Sequence, residues 1–226
     1  MDSTYLKCGT VLVAFGATCT VHKYDEDDGY PSGQMDFGDI LAIIGIGFWV
    51  YVPALLPNTF APFVGGGTPV DFGKTWKGKR ILGDGKTWRG FLGGVFLGAF
   101  VIGLAQWGLS DLCGSADHWG YGDDIWRAIK IFLVLGFGSL IGDMLGSFIK
   151  RRIGIERGAK APILDQYDFV FGSFVFLMIF AWDFFYNTYI EGWHIAALIF
   201  LLLIIWFLHR GTNILGYKIG VKDQPW

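Results

Sequence analysis

Residues 126–152 read WRAIKIFLVLGFGSLIGDMLGSFIKRR. A helix needs about 20 mostly apolar residues to cross a hydrocarbon core of about 30 Å. Residues 126–149 meet that length, with enough left over to tilt or to extend beyond the lipid. Asp143 is out of place there. An ionisable group inside a span costs about 2.5–3.5 kcal/mol on insertion scales, so it normally faces a bundle interior or a water-filled cavity. Ser139, Asp143, Ser147 and Lys150 recur at three- or four-residue steps, which puts them on one helix face. Asp143 lies about 10 Å deeper along the axis than Lys150, at about 1.5 Å per residue. A carboxylate at that depth needs a partner, and a plain helix–helix hydrogen bond or ion pair would supply one.

The rest of the chain fits a membrane setting. Of its 226 residues 53% are hydrophobic and only 17% charged, against about 25% charged in ordinary soluble domains; its mean hydropathy is +0.44. The 34 glycines are scattered through apolar runs, where small residues let helices approach closely. Three cysteines without a CxxC pair or a neighbouring histidine cluster give no zinc site. A Cys8–Cys19 disulfide stays open, since spacing alone does not establish pairing. The net charge of −2 carries no basic excess for nucleic acid, and no nucleic-acid partner is expected. The reading is an all-α integral membrane protein of about five transmembrane helices, at 39–56, 90–109, 126–149, 168–187 and 193–209.

The loops between these spans differ in charge. Residues 57–89 carry Lys74, Lys77, Lys79, Arg80, Lys86 and Arg89, and residues 150–167 carry Lys150, Arg151, Arg152, Arg157 and Lys160. The tail adds Arg210, Lys218 and Lys222. Residues 110–125 hold four aspartates and no lysine or arginine. The positive-inside rule puts the two basic loops and the tail in the cytoplasm. Residues 37–226 then form one multi-pass catalytic domain at the cell membrane, its polar site built by the two cytoplasmic loops at the inner face. Residues 1–36 read as an extension without a catalytic part, whether a sixth helix, a signal-like anchor or sequence upstream of a start at Met35.

A second acidic group strengthens the case for a site. In PILDQYDFVFG, Asp165 and Asp168 stand three residues apart at the mouth of the fourth span. One of them would suffice to cap a helix. Together with Asp143 they offer hard oxygen ligands that suit Mg²⁺, which binds through one or two carboxylates plus substrate phosphates. In LGDGKTWRGFLGG, residues 82–94, Lys86, Thr87 and Arg89 open the second span. Arg80 stands where a Walker A loop needs its first glycine, so this is no P-loop. Its glycines and cations still suit an anion at a helix start. Upstream, Asn58, the triple glycine 65–67 and Pro57, Pro62 and Pro69 mark a structured loop rather than a floppy linker.

GDMLGSFIKRR, LDQYDF, GDGKTWRGFLGG and GGGTPVDFGK together resemble the CDP-archaeol synthases, the archaeal branch of the CTP:phosphatidate cytidylyltransferase-like family. The resemblance covers about residues 39–226. Gly142-Asp143, Ser147, Lys150-Arg151, Asp165 and Asp168 match the signature of the related CDP-diacylglycerol synthases. The PGHGG turn of those enzymes is reduced to Pro162, Gln166 replaces an arginine, and Arg89 stands for a glutamate. These departures favour the archaeal branch.

The resemblance implies CMP transfer from CTP to 2,3-bis-O-geranylgeranylglycerol 1-phosphate, with Mg²⁺ as cofactor. Its partners would be CTP, an isoprenoid ether-lipid phosphate and the bilayer, with a homo-oligomer left open. It implies Asp143, Asp165, Asp168 and Lys150 as catalytic residues, the three aspartates also holding the metal. Asn58, Asp84, Lys86, Thr87, Arg89, Ser147 and Arg151 are the candidate substrate contacts. A phosphatidate-specific synthase and, in another class, a small membrane transporter are the alternatives. Asp183, about 22 Å past Asp168 along a helix, is expected to snorkel at the far surface.

Overall fold

A computed structural model describes residues 36–115, 117–155, 159 and 161–220. Residues 1–35, with Cys8, Cys19 and Met35, lie outside the described residues, as do Arg157, Lys160 and Lys222. Helix α1, Phe37–Leu55, starts at Asp36, whose side chain accepts the Asp39 N–H while the Asp39 carboxylate accepts the Asp36 N–H. This reciprocal pairing satisfies two donors that a helix start leaves orphaned. Leu56 turns the chain directly into α2, Pro57–Val64, whose first position is a proline with no N–H to lose.

Helix α3, Trp88–Gly94, runs without interruption through a π-helical stretch, Val95–Val101, into α4, Ile102–Leu112. The turn between α1 and α2 nests against this helix at Gly98. A Cβ there would stand 2.6 Å from Pro57 Cα, so only glycine lets the two backbones approach. Helix α5, Ile125–Arg152, is 28 residues long, about 42 Å at 1.5 Å per residue, and overreaches a bilayer core as its sequence suggests. It packs on α6, Pro162–Phe180, through a seam of small residues. Gly138, Gly142 and Gly146 of α5 recur every four residues, facing Ser173, Gly172 and Asp168 of α6.

The protein is a multi-pass membrane protein. Four helical stretches among the described residues are long and apolar enough to cross a bilayer: Phe37–Val64, Trp88–Leu112, His118–Arg152 and Gly192–Lys218. The span expected at 168–187 is built differently. Its helix α6 begins earlier, at Pro162, and the chain breaks at Ala181 (φ −148°, ψ 51°) before α7, Trp182–Tyr189. Asp165 and Asp168 therefore sit in the first two turns of a helix, one turn apart on one face. Helix α8, Ile195–Lys218, closes the bundle against α1. The core between the helices holds Tyr51, Tyr121, Tyr189, Phe132, Leu135 and Leu201, all fully buried. Each phenol is satisfied: Tyr51 pairs with Ser173 at 2.5 Å, Tyr189 donates to Gly47 O at 2.9 Å, and Tyr121 to Gln106 Oε1 at 3.1 Å. An unpaired hydroxyl in that setting would cost on the order of 1–3 kcal/mol.

Candidate active site

Between α2 and α3 the chain forms a flap, residues 65–87, organised by one side chain. Asp71 accepts five hydrogen bonds. Gly73 N and Arg80 Nη2 reach Oδ1 at 3.1 and 2.8 Å, and Leu82 N, Gly83 N and Arg80 Nε reach Oδ2 at 3.0, 3.1 and 3.3 Å. Burial alone would raise this carboxyl, but Arg80 and the three backbone N–H groups outweigh it and hold its pKa well below the usual carboxylate range. A two-stranded hairpin, β1 (Thr75–Trp76) and β2 (Lys79–Arg80), hangs from this node. Its turn residues Lys77 and Gly78 both have positive φ, 51° and 74°, as a tight primed hairpin turn requires.

Arg152, the last residue of α5, latches the hairpin to the bundle. It donates to Trp76 O at 2.7 Å and to Arg80 O at 2.6 Å, and its guanidinium lies over the Trp76 and Phe148 rings, 5.3 and 5.2 Å from their centroids. Trp76 is in turn stacked on Phe148 at 5.8 Å. The base of the flap is tied by Val70 N to Lys86 O at 2.8 Å and by Trp88 N to Thr68 O at 3.1 Å. Thr87 then caps the next helix, accepting Gly90 N at 3.1 Å. Held at both ends, the flap delivers Lys86 over the α5–α6 seam.

There a cavity of about 240 Å³ is lined by Asn58, Lys86, Thr87, Asp143, Asp165 and Asp168, with Phe91, Leu140, Met144 and Phe169 as its apolar walls. Lys86 is ion-paired with Asp143. Lys150 binds Asp165 at 2.6 Å, and the other Asp165 oxygen accepts Ala161 N at 2.9 Å. Asp168 is buried on the cavity wall; its Oδ1 accepts the Phe169 N–H at 2.7 Å, and its Oδ2 is buried without a hydrogen-bond partner among the described residues. Its charged neighbours are Asp143, Lys150 and Lys86. Gly146 lies directly beneath this carboxylate, where any Cβ would collide with it. Asn58 donates to Ser139 Oγ at 3.1 Å, and the Ser139 hydroxyl in turn donates to Ala54 O at 2.7 Å.

Six of the eleven anticipated site residues thus line one cavity, and Lys150 reaches it through Asp165. The other four stand elsewhere. Asp84 is exposed and pairs with Arg80 at 2.6 Å. Arg89 is exposed on the first turn of α3, beside Gly67. Ser147 is buried on α5 outside the cavity lining. Arg151 donates to Ile155 O at 2.6 Å and closes the end of α5. The expected trio of metal ligands shares the cavity, yet among the described residues no three such side chains are gathered into a ready cage; Asp143 and Asp165 each hold a lysine instead. Asp71 and Arg152 carry the flap and had no anticipated role. Asp71 did have a signal: an aspartate two residues before a glycine is the pattern of a side chain bonding its own backbone in a turn.

A family model described as CarS-like, CDP-archaeol synthase, matches residues 40–226. The chain is 43% identical over 185 residues to the CDP-archaeol synthase of Picrophilus torridus, covering 79% of this chain and 94% of that one. It is 45% identical over 183 residues to the CDP-archaeol synthase of Methanocorpusculum labreanum, covering 77% and 99%. A solved structure described as an intramembrane enzyme for archaeal membrane lipids biosynthesis is 32% identical, covering 73% of this chain and 92% of its own, with a TM-score of 0.48. With the family model running from the first turn of α1 through α8, the chain belongs to the CDP-archaeol synthase family.

Proposed function

We propose that this protein transfers CMP from CTP to 2,3-bis-O-geranylgeranylglycerol 1-phosphate, giving CDP-archaeol and pyrophosphate. The observation that carries the reading is the single cavity in which Lys86, Asp143, Asp165 and Asp168 meet at one end of a membrane bundle. A lipid phosphate oxygen attacks the α-phosphorus of CTP, a new P–O bond forms, and the bond to the bridging oxygen breaks. Pyrophosphate leaves with that oxygen and its electron pair. A phosphomonoester is largely ionised near neutral pH, so no strong base is needed. The protein's part is positioning and charge neutralisation. Lys86 sits on a flap hinged at Asp71 and would meet the triphosphate, and Lys150 would meet phosphate from the α5 side.

The residues fit a divalent cation. Asp168 presents a buried oxygen with no hydrogen-bond partner among the described residues, beside two further carboxylates of the same lining, and hard oxygen donors are what Mg²⁺ takes. Asp143, Asp165 and Asp168 would hold it once the two lysines turn to phosphate. Bound there, it would offset charge on the triphosphate and on the leaving pyrophosphate. We infer that this end faces the cytoplasm, since Lys74, Lys77, Lys79, Lys86 and Lys150–Arg152 gather on it and basic loops stay inside.

The test is purified protein with labelled CTP, Mg²⁺ or chelator, and ether- or ester-linked lipid phosphates side by side. Label should enter the ether lipid only with Mg²⁺. Transfer to neither lipid would remove the enzymatic reading; preference for the ester lipid would move the protein to the phosphatidate branch; full activity in chelator would remove the metal.

A further inference from the structure

The flap meets the lipid side of the bundle at two places. On α5, Leu145 and Ile149 are exposed, and Ile153 follows at the helix end. Four-residue steps keep them on one face, and an exposed apolar face of a membrane helix meets acyl chains. Trp76 of the hairpin stacks on Phe148, which stands three residues past Leu145 on the same flank, and Trp76 itself stays 49% exposed. Helix α3 repeats the arrangement. Trp88, Leu92 and Phe96 are exposed at four-residue steps, and the ring of Phe72 in the flap lies 6.4 Å from that of Trp88. The flap therefore bridges the ends of two lipid-facing stripes, with an aromatic side chain at the head of each. Its depth agrees. Helix α5 is about 42 Å long, the thickness of a bilayer with both headgroup zones, about 40–45 Å. Arg152, the last residue of that helix, holds the hairpin, so the hairpin stands at headgroup level.

Phe72 carries the argument further. Its φ is +50°, a left-handed conformation that residues other than glycine, asparagine and aspartate seldom adopt, and its side chain is 63% exposed. In water that ring would gain nothing in return for the strain. Around it Lys74, Lys77 and Lys79 are exposed, and the Lys77 ammonium lies 5.7 Å from the Trp76 ring centroid. Residues 72–80 contain no acid, and Asp71 beside them is taken up by Arg80 and backbone N–H groups. Rings interleaved with lysines suit a membrane interface, the rings at headgroup level and the ammonium groups on lipid phosphate. We propose that the flap docks on the anionic lipid headgroups surrounding the protein, with Phe72, Trp76 and Trp88 set into the interface and Lys74, Lys77 and Lys79 on the phosphates. The lipids bound this way lie outside the charged cavity. Each lysine near an anionic surface favours docking by about fivefold. The flap carries Lys86 at its base, so the charge of the bilayer steadies that cation over the carboxylates of α5 and α6.

The test is amide hydrogen exchange of residues 72–82 in the full-length protein, one copy per lipid nanodisc. Discs of a neutral phosphocholine lipid are compared with discs that also contain phosphatidylglycerol, at low and at high salt. Exchange should be slower by about fivefold or more in the anionic discs, the effect of a single lysine at such a surface, and salt at about 1 M should erase the difference. Two variants separate docking from folding. Lys74→Gln, Lys77→Gln and Lys79→Gln made together should remove the dependence on lipid charge, while exchange in neutral detergent matches the wild type. Phe72→Asn places a residue at ease in the left-handed region, so its flap should exchange no faster than wild type in detergent, yet be less protected in the discs. Equal exchange in neutral and anionic discs would overturn the proposal, as would an unchanged lipid response in either variant. Protection that follows protein concentration in detergent, instead of lipid charge, would mean that a second copy covers this side and would overturn it too. CMP transfer takes no part in these readouts, so the docking and the transferase reading stand or fall separately.

Discussion

Asp117 and Asp124 stand at the end of the bundle away from the charged cavity, and both bond backbone N–H groups: Asp117 takes Trp119 N at 3.2 Å and Asp124 takes Trp126 N at 2.9 Å. Their neighbour His118 is stacked on Trp107 at 4.0 Å and bonded to Ser110 at 3.2 Å. At the other end Asp143 and Asp165 are held by lysines, and Asp168 has a buried oxygen with no hydrogen-bond partner among the described residues. The same side chain therefore does two kinds of work. At the far end it satisfies helix and turn starts locally. At the near end Asp143 and Asp165 are each brought by tertiary packing to a cation from another element, and one oxygen of Asp168 is buried without a hydrogen bond among the described residues.

The sharpest way to break this contrast is Asp143→Asn. The substitution keeps size and removes only the charge. It should lower kcat/KM by about 100-fold or more, the scale of losing a main electrostatic element, while membrane insertion and yield stay normal. Initial rates of CMP incorporation into lipid decide it. Near-normal turnover would make Asp143 a structural partner of Lys86 and nothing more.

Next in size is Gly146→Val. The new side chain meets the Asp168 carboxylate and must push it or α6 aside. Misplacing a reacting constellation by about 1 Å can cost 100-fold, so we expect a loss of about 10- to 100-fold together with weaker CTP binding. The same substitution at Gly45, whose Cβ position is open, should leave both unchanged. Equal effects at the two glycines would mean that general helix packing, not the seat of Asp168, is what Gly146 protects.

Asp71 offers a pH test of the flap. Its folded pKa lies below the unfolded value of about 3.9, so its stabilising effect is complete above that value and is lost as pH falls through the depressed one. Hydrogen exchange of flap amides in the wild type and in Asp71→Asn should therefore differ most, and constantly, from pH 7 down to about pH 5. The difference should shrink at lower pH as the wild-type carboxyl takes up its proton. A gap that stays constant to pH 2 would show that shape alone, not charge, organises residues 65–87.

The apolar runs were readable because a bilayer demands lengths of about 20 residues that little else produces, and Asp143 stood out because lipid makes such a residue costly. The early start of α6 was also written in the chain, since Pro162 is a first-position residue. The break at Ala181 was not: FAWDFF contains neither proline nor glycine, and the helix stops there in tertiary context. Pairing was the least visible part. Lys86 and Asp143 are 57 positions apart, and nothing local tells a flap lysine which of three carboxylates it will meet. Arg89 and Arg151 were as good candidates by type as Lys86 and Lys150. Backbone geometry turns them elsewhere, Arg151 to close its own helix.

The smallest expected effect closes the comparison, because it applies the first substitution at the other end. Asp124 caps α5 through its side-chain oxygen, and asparagine caps a helix about as well as aspartate does. Asp124→Asn should therefore leave both activity and thermal stability unchanged, where Asp143→Asn on the same helix should lower kcat/KM by about 100-fold or more. Removing the oxygen altogether, in Asp124→Ala, should cost about 1 kcal/mol of stability, read as a lower melting temperature with turnover intact. On this reading charge should be dispensable at the start of α5 and needed about five turns on. Loss of transfer in Asp124→Asn would mean that the far end of the bundle also carries charge for the reaction, and the division between capping and reacting carboxylates would have to be redrawn along the whole length of α5.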